Sequence, residues 1–186
     1  MQKRFRTFWV LVMVITIFFG LSVGVLADKG KLVLVGVPSD FAAGRYETKS
    51  GVFSVDLSEI EGAYVLIEFE DITITGKVVI WDTQEEHLQM LGGITLIQKD
   101  MELTTDQIEY FIEEERFTAR GNVVATTEDG TVYSDEMLYY QQEKHAIFSN
   151  NVVVEFENGV FKGEKLSFYI EKELIEFIGP FIAEFN

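Results

Sequence analysis

The stretch Asn150–Pro180 reads NNVVVEFENGVFKGEKLSFYIEKELIEFIGP, and Gly121–Asn151 before it reads GNVVATTEDGTVYSDEMLYYQQEKHAIFSNN. Laid over each other, a valine run, an Asp-Gly or Asn-Gly pair, an aromatic, a polar cluster and a small residue recur at the same places. The offset is 29 residues. Four segments fit it end to end: 65–93, 94–122, 123–151 and 152–180. Self-similarity at a fixed period is the signature of a repeat architecture. Position 1 reads Val65, Ile94, Val123, Val152; position 7 reads Asp71, Asp100, Asp129, Asn158; position 17 reads Trp81, Tyr110, Tyr139, Phe168; position 28 reads Gly92, Gly121, Asn150, Gly179.

Inside each unit the apolar spacing is two, the period of a strand and not of a helix. Asp-Gly and Asn-Gly between such runs mark hairpin turns at position 7. Polar clusters such as Gln141–Lys144 mark a second turn near positions 19–22. Each unit therefore holds two antiparallel strands of about ten residues, or roughly 33 Å. Positions 24, 26 and 28 keep parity with 1 and 3 of the next unit, so a Gly or Asn is expected midway along the inward face, where a strand bends sharply. In the other strand parity shifts between positions 12 and 15, as at a bulge. Stacked bent strands predict an all-β fold, two sheets facing each other across an apolar interior. Lys31–Tyr64 fits the period poorly and reads as an irregular starting cap.

The first 27 residues stand apart. Lys3, Arg4 and Arg6 precede the apolar run Phe8–Leu26, and Val25–Ala27 offers a small-residue cleavage site. This predicts a secretory signal peptide over 1–27, followed by one domain over 28–186. An uncleaved inner-membrane anchor is the alternative, because the run is long enough to span a bilayer. Without it, 12 basic groups face 31 acidic ones, a charge of −19 with histidine neutral. That balance excludes nucleic acid as a partner. The chain has no cysteine, so export brings no disulfide framework.

Catalytic and metal chemistry is not expected. His87 and His145 share position 23, but Arg116 stands between them with no other ligand type alongside, and they read as solvated turn residues. The acidic runs read as solvated or edge-protecting faces. There is no phosphate-binding loop and no nucleophile elbow, and no cofactor is implied. The column Trp81, Tyr110, Tyr139, Phe168 is core, and it would also line a groove if the interior is open along one side.

The run Arg120–Phe156, with Gly130, Ser134-Asp135, Met137 and Tyr139 in its middle and Asn-Val at both ends, resembles the OstA-like repeat of the lipopolysaccharide-transport proteins. Weaker matches cover most of 65–180. The resemblance implies an OstA-like β-jellyroll in the periplasm or cell envelope, without enzymatic activity. It implies lipopolysaccharide or another acylated envelope lipid as cargo and other jellyroll proteins of the transport family as partners. It also implies head-to-tail self-association into a continuous groove that serves outer-membrane biogenesis. The signal peptide fits the soluble bridge member better than a membrane-anchored one. The candidate lipid-groove residues are Trp81, Ile108, Tyr110, Met137, Tyr139, Phe148, Leu166 and Phe168. The candidate edges for self-association are Leu32 and Leu34 at one end and Phe181, Ala183 and Phe185 at the other. A charge of −19 is unfavourable for the head group of an anionic glycolipid, which leaves open a structural scaffold that assembles edge to edge without cargo. A polysaccharide-binding or hydrolysing β-protein is disfavoured, because no acid pair is singled out.

Overall fold

The computed structural model describes residues 31–185 except 70, 71, 99, 100, 129, 141, 170, 171 and 173. The expected signal peptide and the turn residues Asp71, Asp100 and Asp129 lie outside the described residues. Thirteen strands follow in chain order: β1 Lys31–Val35, β2 Gly44–Glu47, β3 Val52–Asp56, β4 Tyr64–Phe69, β5 Ile72–Gly76, β6 Val78–Asp82, β7 His87–Gln98, β8 Met101–Phe111, β9 Arg116–Thr127, β10 Gly130–Tyr140, β11 His145–Phe156, β12 Gly159–Tyr169 and β13 Leu174–Phe185. No helix occurs among the described residues.

All pairings are antiparallel, and they make one sheet folded into two limbs. One half of β7 pairs with β6 (Met90 opposite Val79) and the other half with β5 (Leu96 opposite Ile74). From there each strand crosses from limb to limb. Limb A runs β2, β3, β6 and then residues 87–91 through 174–178. Limb B runs β1, β4, β5 and then residues 94–98 through 181–185.

The crossing has a local cause. Gly92 and Gly93, Gly121 and Asn122, Asn150 and Asn151, and Gly179 all have positive φ, between 48° and 90°. Glycine reaches this left-handed region without penalty and asparagine at small cost. Register slips at the bends, between Leu91 and Ile94 and between Ser149 and Val152. The facing strands skip one residue, at Asp135 and at Glu164. The expected inward placement of position 28 is corrected here: Gly92, Asn150 and Gly179 are exposed. Two residues are turned outward together, and this keeps the inward faces on either side in phase.

Side chains tie the bends. Asn122 Nδ2 donates to Asp106 Oδ2 and Asn151 Nδ2 to Asp135 Oδ2, each at 2.8 Å. The buried Thr105 hydroxyl donates to the carbonyls of Arg120 at 2.9 Å and Gly121 at 3.1 Å. Buried polar groups keep partners in this way. Between the limbs lie two apolar clusters. Val55, Leu57, Val65, Val79, Met90, Ile94 and Ile108 fill the β1 end. Leu103, Val132, Met137, Phe148, Val154, Leu166 and Phe168 fill the β13 end.

Candidate functional site

Cross-strand register sorts the inward side chains into rows. One row of limb A starts at Tyr46 and passes Trp81, Tyr110, Tyr139 and Phe168 to Ile175. The row beside it, nearer the bends, starts at Gly44 and passes Ile108, Met137, Phe148 and Leu166 to Phe177. The eight candidate groove residues therefore fall on two adjacent rows of a single limb. Ile108, Met137, Tyr139, Phe148, Leu166 and Phe168 are buried, Tyr110 is half-buried, and Trp81 is 40% exposed. Trp81 has the inward parity of Val79, so its exposure marks a rim. Burial raises the Tyr139 phenol above its usual range. Tyr110 is raised too, by burial first and by Glu115 second.

The opposite wall was not among the candidate residues. Leu103, Val132 and Val154 of limb B pack into the same cluster as Met137 and Phe168. Their columns, positions 3 and 10, had the right period; only an aromatic column drew attention to limb A. Also unforeseen is an aromatic group at the β13 end. Phe161 stacks on Phe177 at 5.1 Å and meets Phe156 and Phe185 edge-on at 5.5 and 5.6 Å, and Phe177 stacks on Phe181 at 5.1 Å. Phe181 is 52% and Phe185 75% exposed. The interior is thus aromatic and open at this end.

The edges are where the sheet lacks neighbours. Among the described residues β13 pairs only with β12, β1 only with β4, and β2 only with β3. Leu32 is exposed, Leu34 and Ala183 are half-buried, and Tyr46 on β2 is exposed. The second edge, β2, was missed because Gly44–Glu47 is too short to carry a period.

The histidines correct a reading made above. They are partly buried and not solvated turn residues. His87 stacks on Phe111 at 4.4 Å, and His145 on Tyr169 at 4.2 Å with Nε2 2.8 Å from Ser167 Oγ. Burial holds His145 below its usual range. No group of three or more metal-ligating side chains gathers among the described residues.

A bent-strand sheet folded over an apolar interior, with edges at both ends that lack a neighbour among the described residues, defines a β-jellyroll of the OstA-like class. The model of the family described as LptA/(LptD N-terminal domain) LPS transport protein matches residues 70–174, more than half of the chain. The chain belongs to that family, and it is therefore a transport protein and not an enzyme. Among solved structures it is similar to LptH from Pseudomonas aeruginosa, described as the LptA-homologous periplasmic component of the conserved lipopolysaccharide transport device. The TM-score is 0.53 at 14% identity, covering 61% of this chain and 93% of that one. At this identity the likeness concerns the fold. No curated protein matches.

Proposed function

We propose that this protein is an exported periplasmic bridge that holds the acyl chains of lipopolysaccharide between its limbs and joins further jellyrolls end to end. The observation that carries this is the pair of inward rows running from Gly44 and Tyr46 at one end to Ile175 and Phe177 at the other. An apolar path of that length suits a chain of methylenes, each worth about 0.8 kcal/mol when removed from water. The interior is filled by its own side chains, Phe168 and Leu103 among them, so cargo has to displace them, starting from exposed members such as Trp81 and Phe181. The −19 charge is compatible with contact through acyl chains while the head group stays in solvent. Unpaired β1 and β13 would join by strand addition, which supplies main-chain hydrogen bonds. Such a contact is heterologous, so it does not close and gives rods.

A photo-crosslinking residue at position 110 or 139, placed in the envelope of the producing cell, tests the groove. Label on acylated lipid from these inward positions supports it; label only from the outward Glu155 overturns it. Deleting residues 181–185 tests the joint, because concentration-dependent oligomers should then weaken. An unmodified protein that stays monomeric at high concentration overturns the joint.

A further inference from the structure

We infer that the end-to-end joint is two-pronged and has one register, in which each half of β13 pairs with a different strand of the next copy. This rests on the bridging reading and adds which residues meet. Strand direction alternates across both limbs. In each limb the strand after β13 in that alternation runs the same way as β1 and β2, so both junctions come out antiparallel.

The rows then fix what meets what. In limb B the row that begins at Lys31 ends at Glu184, the row from Leu32 ends at Ala183, and the row from Val33 ends at Ile182. In limb A the row from Arg45 ends at Glu176, the row from Tyr46 at Ile175 and the row from Gly44 at Phe177. If a second copy continues the rows without slip, Lys31 meets Glu184 and Arg45 meets Glu176. Both pairs are of opposite charge, one on each limb, and cross-strand pairs of this kind are favourable while like charges are not. The apolar rows match in size as well. Ala183 meets the exposed Leu32, Phe177 meets Gly44, which has no side chain, and Ile182, 61% exposed on the outward face, meets Val33.

A slip of one residue destroys all of this, because it would place inward residues on the outward face. A slip of two would set Glu184 against Val33 or Glu176 against Glu47. The surrounding charges fit the unslipped joint: Lys31 lies 3.8 Å from Glu68 and Glu184 3.6 Å from Lys162. Joining them makes the alternating series Glu68, Lys31, Glu184, Lys162. For a domain of charge −19, alternation of this kind counters the repulsion between copies. The bend in β13 sets the spacing of its two halves, and the next copy must present β1 and β2 at that spacing.

The absence of native cysteine makes the register directly testable. The full chain carrying Val33→Cys and Ile182→Cys, exported and treated with a mild oxidant, is expected to give a ladder of disulfide-linked oligomers. Val33→Cys with Glu184→Cys, two residues out of register, should give little. Separately, Arg45→Glu and Glu176→Arg should each weaken self-association about fivefold, and the two together should restore it to within about twofold. A ladder from the out-of-register pair, or a double reversal no better than either single one, overturns the inference. If the out-of-register pair links while deletion of 181–185 still weakens the oligomers, the bridging reading stands and only the register fails. A protein that never associates overturns both.

Discussion

The seven strands from β7 onward run 11 or 12 residues and cross from one limb to the other, whereas the six before them have four to six residues and stay on one limb. The two regions build the same wall by different means. In the long-strand region the backbone itself turns the corner, through left-handed pairs in β7, β9 and β11 and a single left-handed Gly179 in β13, with the β9 and β11 bends braced by Asp106 and Asp135. In the short-strand region the corner is made by separate segments. Residues 57–63 cross between β3 and β4, with Leu57 as a fully buried plug. Lys77 links β5 to β6 and donates its ammonium protons to the carbonyls of Ile60, at 3.2 Å, and Ala63. Position 13 of the period is thus lysine where the corner consists of loop carbonyls, and aspartate where it includes an asparagine amide. The consequence lies at the ends: the long-strand region finishes on one bent edge, the short-strand region starts on two.

The largest effect should separate the two regions along a single inward row. Phe168 is fully buried, while Trp81 in the same row is 40% exposed. Phe168→Ala should cost about 3–5 kcal/mol, the range for deleting a buried aromatic ring. Trp81→Ala should cost about 1–2 kcal/mol, since less area leaves a dry environment. Urea unfolding of both variants checks this, and equal losses would mean that the row is packed alike at both ends.

Next come the bends. Gly121 has φ +79°, and an added Cβ would fall on the Asp106 carboxylate; Gly179 has φ +90° with open space where a Cβ would sit. Gly121→Val should therefore combine backbone strain with a clash, about 2–3 kcal/mol, and Gly179→Val should show strain alone, about 1–2 kcal/mol. Equal melting temperatures for the two variants would remove the aspartate from the account. Comparable to Gly179→Val is Lys77→Met, which keeps the stem but loses bonds from a charged donor to two loop carbonyls. About 1–2 kcal/mol is expected by denaturant unfolding. A neutral outcome would mean that water replaces the ammonium group and that the short-strand corner is held by Leu57.

The all-β architecture was legible because period two and period 29 are visible in the same residues, from Val65 to Pro180. The bend was legible as a column of Gly and Asn, but not its geometry. A Gly at position 28 is equally consistent with an inward gap and with a left-handed pair turned outward. Only the partner strand, with its skipped residue at Asp135, decides between them. The candidate groove rows were legible on limb A, where aromatics stand in line. Their counterpart on limb B is aliphatic from Leu103 through Val132 to Val154 and turns aromatic only at Phe161, and no sequence pattern distinguishes the aliphatic stretch of a wall from ordinary core. The edge β2 was illegible for a physical reason: four residues, all exposed, are held by pairing with β3 and not by an apolar face of their own.

The smallest expected effect concerns the outer face of limb A in the long-strand region. His145 is stacked on Tyr169 and hydrogen-bonded with Ser167, and burial lowers its pKa. Glu143 and Glu176 favour the imidazolium while Lys165 and Lys172 oppose it, and burial outweighs these charges. The unfolded chain then binds the proton more readily than the folded one, with an unfolded value of about 6.5. The stabilisation is complete above that pH and is lost as pH falls through the lower, folded value. His145→Gln keeps a polar side chain without the titration. The unmodified protein should lose more melting temperature between pH 7.5 and pH 5 than this variant does, by about one or two degrees. The short-strand region supplies the contrast: Lys77→Met leaves the imidazole in place, so it should lower stability by the same amount at both pH values. Parallel pH profiles for the unmodified and His145→Gln proteins would place the imidazole in solvent and leave Tyr169 stacked on a neutral spacer.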